Sequence, residues 1–470
     1  MDWWGLGFEG ERGRCCNISL RIRAAAVAVV TGFESFHILE RRRFSAMRRT
    51  IDVCGGLSFG LRVCLSWCVL LCVELRAGDA GVGVVEELSS WLQEHRLDDA
   101  GCAALAANEL GGKVLSAEEA KAAAGLLWKA RREWLLEDRK AEMDAREIVL
   151  GELKMPFWYR VFGEAPATGR SLYISMHGGG GAPAAVNDQQ YENQKRLYQP
   201  AEGIYLVPRA PTNTWNLWHE GHIDNFLDRL IVNLVVFEGV NPNRVYLMGY
   251  SAGGDGVYQL APRLADRLAA AAMMAGHPNE SRPEGLRNIG FTLHMGANDG
   301  AYNRNAVAAE WGRRLKALRE QDPGGYAHEV TLHEGLGHWM QLKDAVAVPW
   351  MAKFERAMWP KRVVWVQDDV RHDRFYWLKT DAKAAAAGDG VTAEFVDGAV
   401  RIESSSAAEL SLLLSDELFD LDKPIAVLHP GGSRTEHKVE RTVGVMAQSL
   451  LERSDPAGMY AAVLRVSVER

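Results

Sequence analysis

Cysteine is nearly missing from the body of this chain. Of seven cysteines, Cys15, Cys16, Cys54, Cys64, Cys68 and Cys72 precede residue 80, and only Cys102 follows. A disulfide framework is thereby excluded as the scaffold of the larger part. Long hydrophobic runs are lacking as well: the apolar stretch Val63 to Val73 falls short of the roughly 20 residues that a helical membrane span needs, and Arg62 stops its extension. Positive charge is in deficit. A net charge of −7, a pI near 6.0 and the absence of a basic stripe argue against nucleic-acid binding. No Gly-x-x-x-x-Gly-Lys-Ser/Thr occurs, so a Walker-type phosphate loop is excluded. His219-Glu-Gly-His222 spaces its histidines by three where the zinc-protease motif needs four. No metal is expected from this spacing.

What is present begins with Met47-Arg-Arg, the short apolar centre and the small residues Gly78 and Ala80. This order reads as a secretory signal over residues 47–80, with residues 1–46 an over-extended or disordered N-terminus. Used as a signal, the segment implies a periplasmic or extracellular protein with no stable membrane span after cleavage; unused, it leaves the chain membrane-anchored or cytoplasmic.

Residues 81–146 read as a helical segment. Val84 to His95 is amphipathic, and Ser116-Ala-Glu-Glu119 is a capping box that opens a longer helix running toward Glu147. Ala120, Ala123, Leu127, Ala130 and Trp134 form its apolar stripe, expected to pack on the rest of the protein. Over residues 147–360 short apolar runs alternate with helical patterns. Ile148 to Leu153 and Phe157 to Phe162 predict an antiparallel pair. Leu172 to Met176, Ile204 to Val207, Val245 to Met248, Ala270 to Met274, Phe291 to Met295 and His328 to Leu332 predict further strands. Helices are expected over Ile223 to Val235, at about Asn305 to Arg319 and after His338. The alternation means an α/β fold, a mostly parallel sheet covered on both faces, with its working surface at the carboxyl ends of the strands.

From Arg362 the alternation gives way to strand after strand: Val363 to Val366, Arg374 to Leu378, Val391 to Val396, Val400 to Glu403, Glu409 to Leu414, Ile425 to Leu428 and Ala461 to Val468, with one helix at about Val443 to Arg453. Asp397-Gly398 marks a hairpin. Residues 361–470 therefore read as a β-rich, sandwich-like accessory domain without a catalytic constellation or a propeller-like repeat.

The chemistry concentrates around Val245-Tyr-Leu-Met-Gly-Tyr-Ser251-Ala-Gly-Gly, an apolar strand broken by Gly-x-Ser-x-Gly and followed by a helix. That is the form of a nucleophile elbow, with Ser251 as nucleophile. A serine hydroxyl needs a base to take its proton, and an acyl-transfer site needs donors for the developing oxyanion. His177-Gly-Gly-Gly-Gly181 follows an upstream strand, so Gly178 and Gly179, with the N–H of Ala252, are the expected oxyanion hole. Asp299 closes a late strand, and His338 in Gly-Leu-Gly-His-Trp339 follows the last one, which reproduces the order Ser, Asp, His. Asp299 would orient the imidazole and His338 would act as general base and then general acid. Asp255 is read as complementing the dipole of its own helix, and His277 as a loop residue. His177, Trp215, Trp218, Tyr250 and Trp339 are candidates for a substrate pocket, with core packing as the equal alternative for the aromatics.

With His-Gly-Gly-Gly, Gly-Tyr-Ser-Ala-Gly-Gly and a late Gly-His-Trp, residues from about 147 to 358 resemble the α/β-hydrolase superfamily, and within it the carboxylesterase and polyhydroxybutyrate-depolymerase-like branch. The resemblance implies an eight-stranded sheet, no cofactor and an acyl-serine intermediate. It does not extend to the N-terminal helices or the β-rich region. The chain lacks a long apolar insertion to serve as a lid, which points to small or medium esters rather than large lipids. A serine peptidase and a non-catalytic binding module are the competing readings. The oligomeric state is left open.

Overall fold

The computed structural model describes residues 83–469; the signal-like segment and everything before it lie outside that range. None of the described helices is long and apolar enough to cross a membrane. The order opens with α1 (Val84–Glu94), α2 (Asp99–Ala107), β1 (Val114–Leu115) and α3 (Ala117–Asp138). At the start of α3 the capping box is complete: Ser116 Oγ accepts from the Glu119 N–H, and Glu119 Oε2 accepts from the Ser116 N–H at 2.8 Å. The buried stripe starts as expected with Ala120, Ala123 and Leu127 and adds Arg131 and Leu135, while Ala130 and Trp134 pack half-buried against the apolar clusters beside it. Arg131 can lie inward because its guanidinium donates to Leu97 O, Asp99 and Ser454. The helix ends at Asp138, short of Glu147, and α4 (Lys140–Ala145) follows.

The main sheet comprises β2 (Glu147–Leu150), β3 (Leu153–Phe162), β4 (Arg170–Met176), β5 (Gly203–Pro208), β6 (Val240–Tyr250), β7 (Ala270–Met274), β8 (Gly290–Gly296) and β9 (His328–His333). Between these strands come α5 (Ala184–Gln194), α6 (His222–Glu238), α7 (Ala252–Arg263) and α8 (Arg304–Gln321). The sheet has eight strands in the order β2-β3-β5-β4-β6-β7-β8-β9. From β5 to β9 all neighbours run parallel, while β3 and β2 add antiparallel strands at one edge. The first hairpin turns at Gly151-Glu152, earlier than the sequence pattern predicts, because Gly151 takes φ 60° without the Cβ clash that other residues meet there. Central strands buried on both faces explain the uninterrupted apolar runs.

Beyond His338 the helical expectation shrinks to a single 3₁₀ turn, Lys343–Val346, and the short α9 (Ala347–Met351). The C-terminal region then builds two sheets. One contains β10 (Arg362–Val366), β13 (Gly390–Val396), β14 (Ala399–Ser405), β16 (Ile425–Leu428) and β17 (Arg434–His437). The other contains β11 (Arg374–Phe375), β12 (Leu378–Lys379), β15 (Glu409–Leu414) and β19 (Ala462–Ser467). Arg374 to Leu378, predicted as one strand, is a tight hairpin of two, turned by Tyr376 at φ 53°. Asp397 and Gly398, both at positive φ, make the expected hairpin between β13 and β14. Val363, Trp365, Phe375, Trp377 and Leu412 join the same apolar core as the main sheet. Ahead of β19, the elements β18 (Arg441–Thr442) and α10 (Val443–Glu452) return to the N-terminal helices: β18 pairs with β1, and Val443, Met446 and Leu450 pack with Leu88, Leu105, Ala123 and Leu127.

Candidate active site

The parallel register aligns the ends of β4, β6, β7, β8 and β9, with Met176 opposite Gly249, Tyr250 opposite Met274 and Gly296 opposite His333. Segments leaving these ends therefore meet at one face. Ser251 joins β6 to α7 with φ 57° and ψ −120°, a conformation disfavoured for any residue with a Cβ and sustained only where its surroundings fix it. Its N–H donates to Met274 O at 2.9 Å and its carbonyl accepts from the Asp255 N–H at 3.0 Å. The flanking glycines are required by contact: a Cβ on Gly249 would lie 2.2 Å from Gly253 O, and one on Gly253 would lie 2.2 Å from Met176 O.

Ser251 Oγ lies 3.0 Å from His338 Nε2, and His338 Nδ1 lies 2.7 Å from Asp299 Oδ2. The three side chains from separate strand ends thus form one hydrogen-bonded row. Asp299 is buried and the His338 side chain is 42% exposed, so the row runs from the interior to the surface. Tyr250 clamps the histidine loop, its hydroxyl donating to His338 O at 2.6 Å and accepting from the Met340 N–H at 3.0 Å. The tyrosine is buried and acts as a brace behind the loop.

Gly178 sits against the serine; a Cβ there would be 3.2 Å from Ser251 Cβ and 3.8 Å from Oγ. Its peptide is set by His177, which is fully buried. His177 Nε2 accepts from the Ala210 N–H at 3.2 Å, so the proton resides on Nδ1, which donates to Gly178 O at 2.6 Å. Burial drives the His177 pKa down to about 3, against the upward pull of the Gly178 carbonyl, and the ring is neutral. Because a trans peptide is planar, holding Gly178 O fixes where the Gly179 N–H points. The next amide is occupied: Gly180 N–H donates to Asn187 Oδ1 at 2.9 Å. Gly179 has φ 112°, and a Cβ there would fall 2.1 Å from Asn187 Oδ1. Ala252 opens α7, and its N–H is among the first-turn donors with no acceptor inside the helix.

Among the pocket candidates, His177 and Trp218 are excluded from direct ligand contact by burial. Trp218 Nε1 donates to His177 O at 2.7 Å, so a polar tether placed the indole inside. Trp215 and Trp339 are 62% and 49% exposed. Trp215 lies against the glycine loop at Gly180 and Gly181, while Trp339 follows His338 and tilts onto Tyr250 at 5.7 Å. Asp255 lies in the first turn of α7 and accepts from the His277 N–H at 2.6 Å. Burial raises its pKa, which that amide and Arg304 partly counter. Among the described residues, neither His219 nor His222 joins a group with metal-ligand spacing.

Sequence reasoning missed the loop's supports. Asn187 Nδ2 donates to Ala182 O and to Asn213 Oδ1, which also accepts from Arg209 Nη2. Arg209 pairs in turn with Asp188 at 2.8 Å. No motif announces these residues; only proximity to the glycine run hinted at Asn187. Arg304, whose Nη1 lies 3.8 Å from Asp299 Oδ1, was also missed.

No family model matches the chain, and no curated protein matches it. Among solved structures it is similar to a thermostable esterase at 18% identity, covering 45% of this chain and 62% of that one, with a TM-score of 0.34. It is also similar to the BES protein from Bacillus cereus (10% identity, 44% and 92% coverage, TM-score 0.33). A third similarity is to a feruloyl esterase module from Clostridium thermocellum complexed with sinapinate (13%, 43% and 83%, TM-score 0.32). The chain thus spans about three fifths of the length of the thermostable esterase.

Proposed function

We propose that this protein is a serine hydrolase of the α/β-hydrolase type that cleaves carboxylic esters through an acyl-serine intermediate. The observation that carries the reading is the row Ser251–His338–Asp299, with contacts of 3.0 and 2.7 Å, at the carboxyl edge of a parallel sheet.

In this mechanism His338 Nε2 takes the proton from Ser251 Oγ as the oxygen attacks the substrate carbonyl. Asp299 accepts from Nδ1–H, which leaves Nε2 as the free base and stabilises the imidazolium that forms. The carbonyl oxygen gains charge and swings toward the amides of Gly178, Gly179 and Ala252, donors already oriented before the reaction. The His338 imidazolium then gives its proton to the leaving alcohol. Water, deprotonated by the same histidine, attacks the acyl-serine and releases the acid. Trp215 and Trp339, on the oxyanion and histidine sides of the serine, supply apolar faces for the acyl or alcohol group of a small or medium ester.

A fluorophosphonate probe tests the nucleophile. Labelling of the full chain that disappears in Ser251→Ala is the expected result; labelling that persists removes Ser251 from the mechanism, and an unlabelled wild type favours a non-catalytic module. Turnover of short aryl esters well above aminoacyl amides separates the esterase from a peptidase with the same side chains.

A further inference from the structure

We propose that Glu280, Asp368 and Asp369, together with Ser281, form a binding site for a divalent cation of the calcium type, where the loop after β7 meets the loop after β10. The acids come from parts of the chain almost ninety residues apart, yet one carboxylate oxygen of each lies within 4.8 Å of the other two. Asp368 is half-buried, and Glu280 and Asp369 are exposed. All three line one cleft of about 140 Å³ with Ser281 and Arg263, which leaves room for a cation and several waters at roughly 30 Å³ each.

Carboxylates this close repel one another unless a cation offsets them. The neighbouring cation is engaged elsewhere. Arg263 donates to Asp224 at 2.6 Å and reaches Asp368 only at 3.4 Å and Asp369 at 4.0 Å. Glu280 has a neutral partner instead, the Gln259 Nε2 at 3.0 Å. Burial raises the Asp368 pKa; Arg263 counters that rise and Asp369 adds to it.

Buried acceptors beside the acids make a separate demand. Ser281 is 5% exposed and lines the cleft, and its Oγ has no hydrogen-bond partner. Gln259 is 1% exposed, and its Oε1 lacks a partner although the Nε2 of the same amide is bonded to Glu280. Buried polar atoms are nearly always paired, so the site calls for positive charge and for donors together, as a hydrated cation provides. The carboxylates are already oriented: Asp368 Oδ1 accepts from the Asp369 N–H at 2.8 Å, and Asp369 Oδ1 from the Val370 N–H at 2.7 Å. Three carboxylates and a hydroxyl are an all-oxygen set, which suits a hard cation rather than zinc or copper. Calcium tolerates irregular geometry on loops where magnesium demands a regular octahedron. Bound there, the ion ties the hydrolase sheet to the C-terminal sheets. With few charged ligands, one of them shared with Arg263, the affinity belongs with weak extracellular sites, a Kd of about 10⁻⁴–10⁻³ M.

Calorimetric titration of CaCl₂ into the full chain, stripped with EDTA and dialysed, should show one saturable site, and about 10 mM CaCl₂ should raise Tm by about 2–4 °C. Glu280→Gln and Asp369→Asn, at exposed positions where folding is little disturbed, should each weaken binding about tenfold, and together they should abolish it; Ser281→Ala should weaken it about threefold, because binding follows ligand number and charge. The proposal is overturned by the absence of saturable heat, by a Tm gain under about 0.5 °C, or by a gain that survives in the double variant. An unchanged Kd in Ser281→Ala also overturns it, since the buried hydroxyl is what separates this cluster from an ordinary acidic surface. No turnover enters these measurements, so their outcome is independent of the hydrolase reading.

Discussion

Replacing Asp299 by asparagine tests the proposed chemistry with the least structural disturbance. The side chain is buried, the shape is conserved, and the Asn305 N–H can still donate to the residue's backbone carbonyl at 3.1 Å. An amide, however, has one accepting end and one donating end. Arg304 sits 3.8 Å from Oδ1 and only donates, so the amide oxygen turns toward it and the NH₂ toward His338 Nδ1. That nitrogen must then accept, and the imidazole proton moves to Nε2. Nε2–H now faces Ser251 Oγ across the present 3.0 Å contact, and no base remains. Loss of the correct tautomer should lower kcat by about 10³ to 10⁴-fold, roughly 4–5.5 kcal/mol at about 1.4 kcal/mol per tenfold. KM should stay within about threefold, because Asp299 lies under the histidine and touches no substrate. Hydrolysis of a chromogenic aryl ester at saturation, corrected for active sites by a stoichiometric phosphonate, is the assay. A kcat within about tenfold of wild type would refute the reasoning and pass the role to Asp255; Asp255→Asn is expected to leave kcat within that range.

Three other outcomes follow from the structure. Asn187→Ala removes the acceptor of Gly180 N–H and the link to Asn213, and kcat should fall about 10–100-fold, below the 10²–10³ typical of deleting an oxyanion donor outright; a lowered Tm with unchanged kcat would reduce Asn187 to a structural part. Asp455→Asn leaves the buried Arg356 without its carboxylate, now bonded at 2.7 Å, while Arg267 retains Asp228. Burial opposes the Asp455 charge, yet Arg356 and Arg267 hold its pKa well below the usual range. Breaking a buried pair costs about 3–5 kcal/mol, or roughly 3–5 °C in Tm for a chain of this length, and calorimetry showing a change under 1 °C would contradict it. Finally, burial holds His177 at about 3 and His294 at about 4, so the unfolded chain binds more protons below the ordinary histidine pKa. Stability is intact above about pH 6.5 and lost as pH falls toward those values, by up to about 1.4 kcal/mol per unit for each histidine; urea midpoints that do not drop between pH 7 and 5 would count against both.

Much of the molecule was written locally. Alternation of buried strand and amphipathic helix fixes the sheet because each pattern permits one periodicity, and Ser116 with Glu119, or Asp397 with Gly398, act within a few residues of themselves. Ser251, Asp299 and His338 stood out because each follows a predicted strand in a segment rich in glycine. Less legible were features in which one residue's role depends on a distant partner. His177 and Trp218 look like pocket residues until the Ala210 amide and the His177 carbonyl are seen to take their polar atoms inside.

By itself, then, the sequence determined the parallel sheet, the strand ends at which polar residues gather, and the turn at Ser251. The tertiary structure alone decided that β1 pairs with β18 and that the stripe on α3 is covered by α10, since a two-residue strand carries no periodic signal and an apolar stripe does not specify its partner. It alone also placed Arg304 against Asp299 and Asn187 against Gly180. Charge and hydrogen bonding act through space over a few ångströms, and the chain spacing of the residues involved bears no relation to that distance.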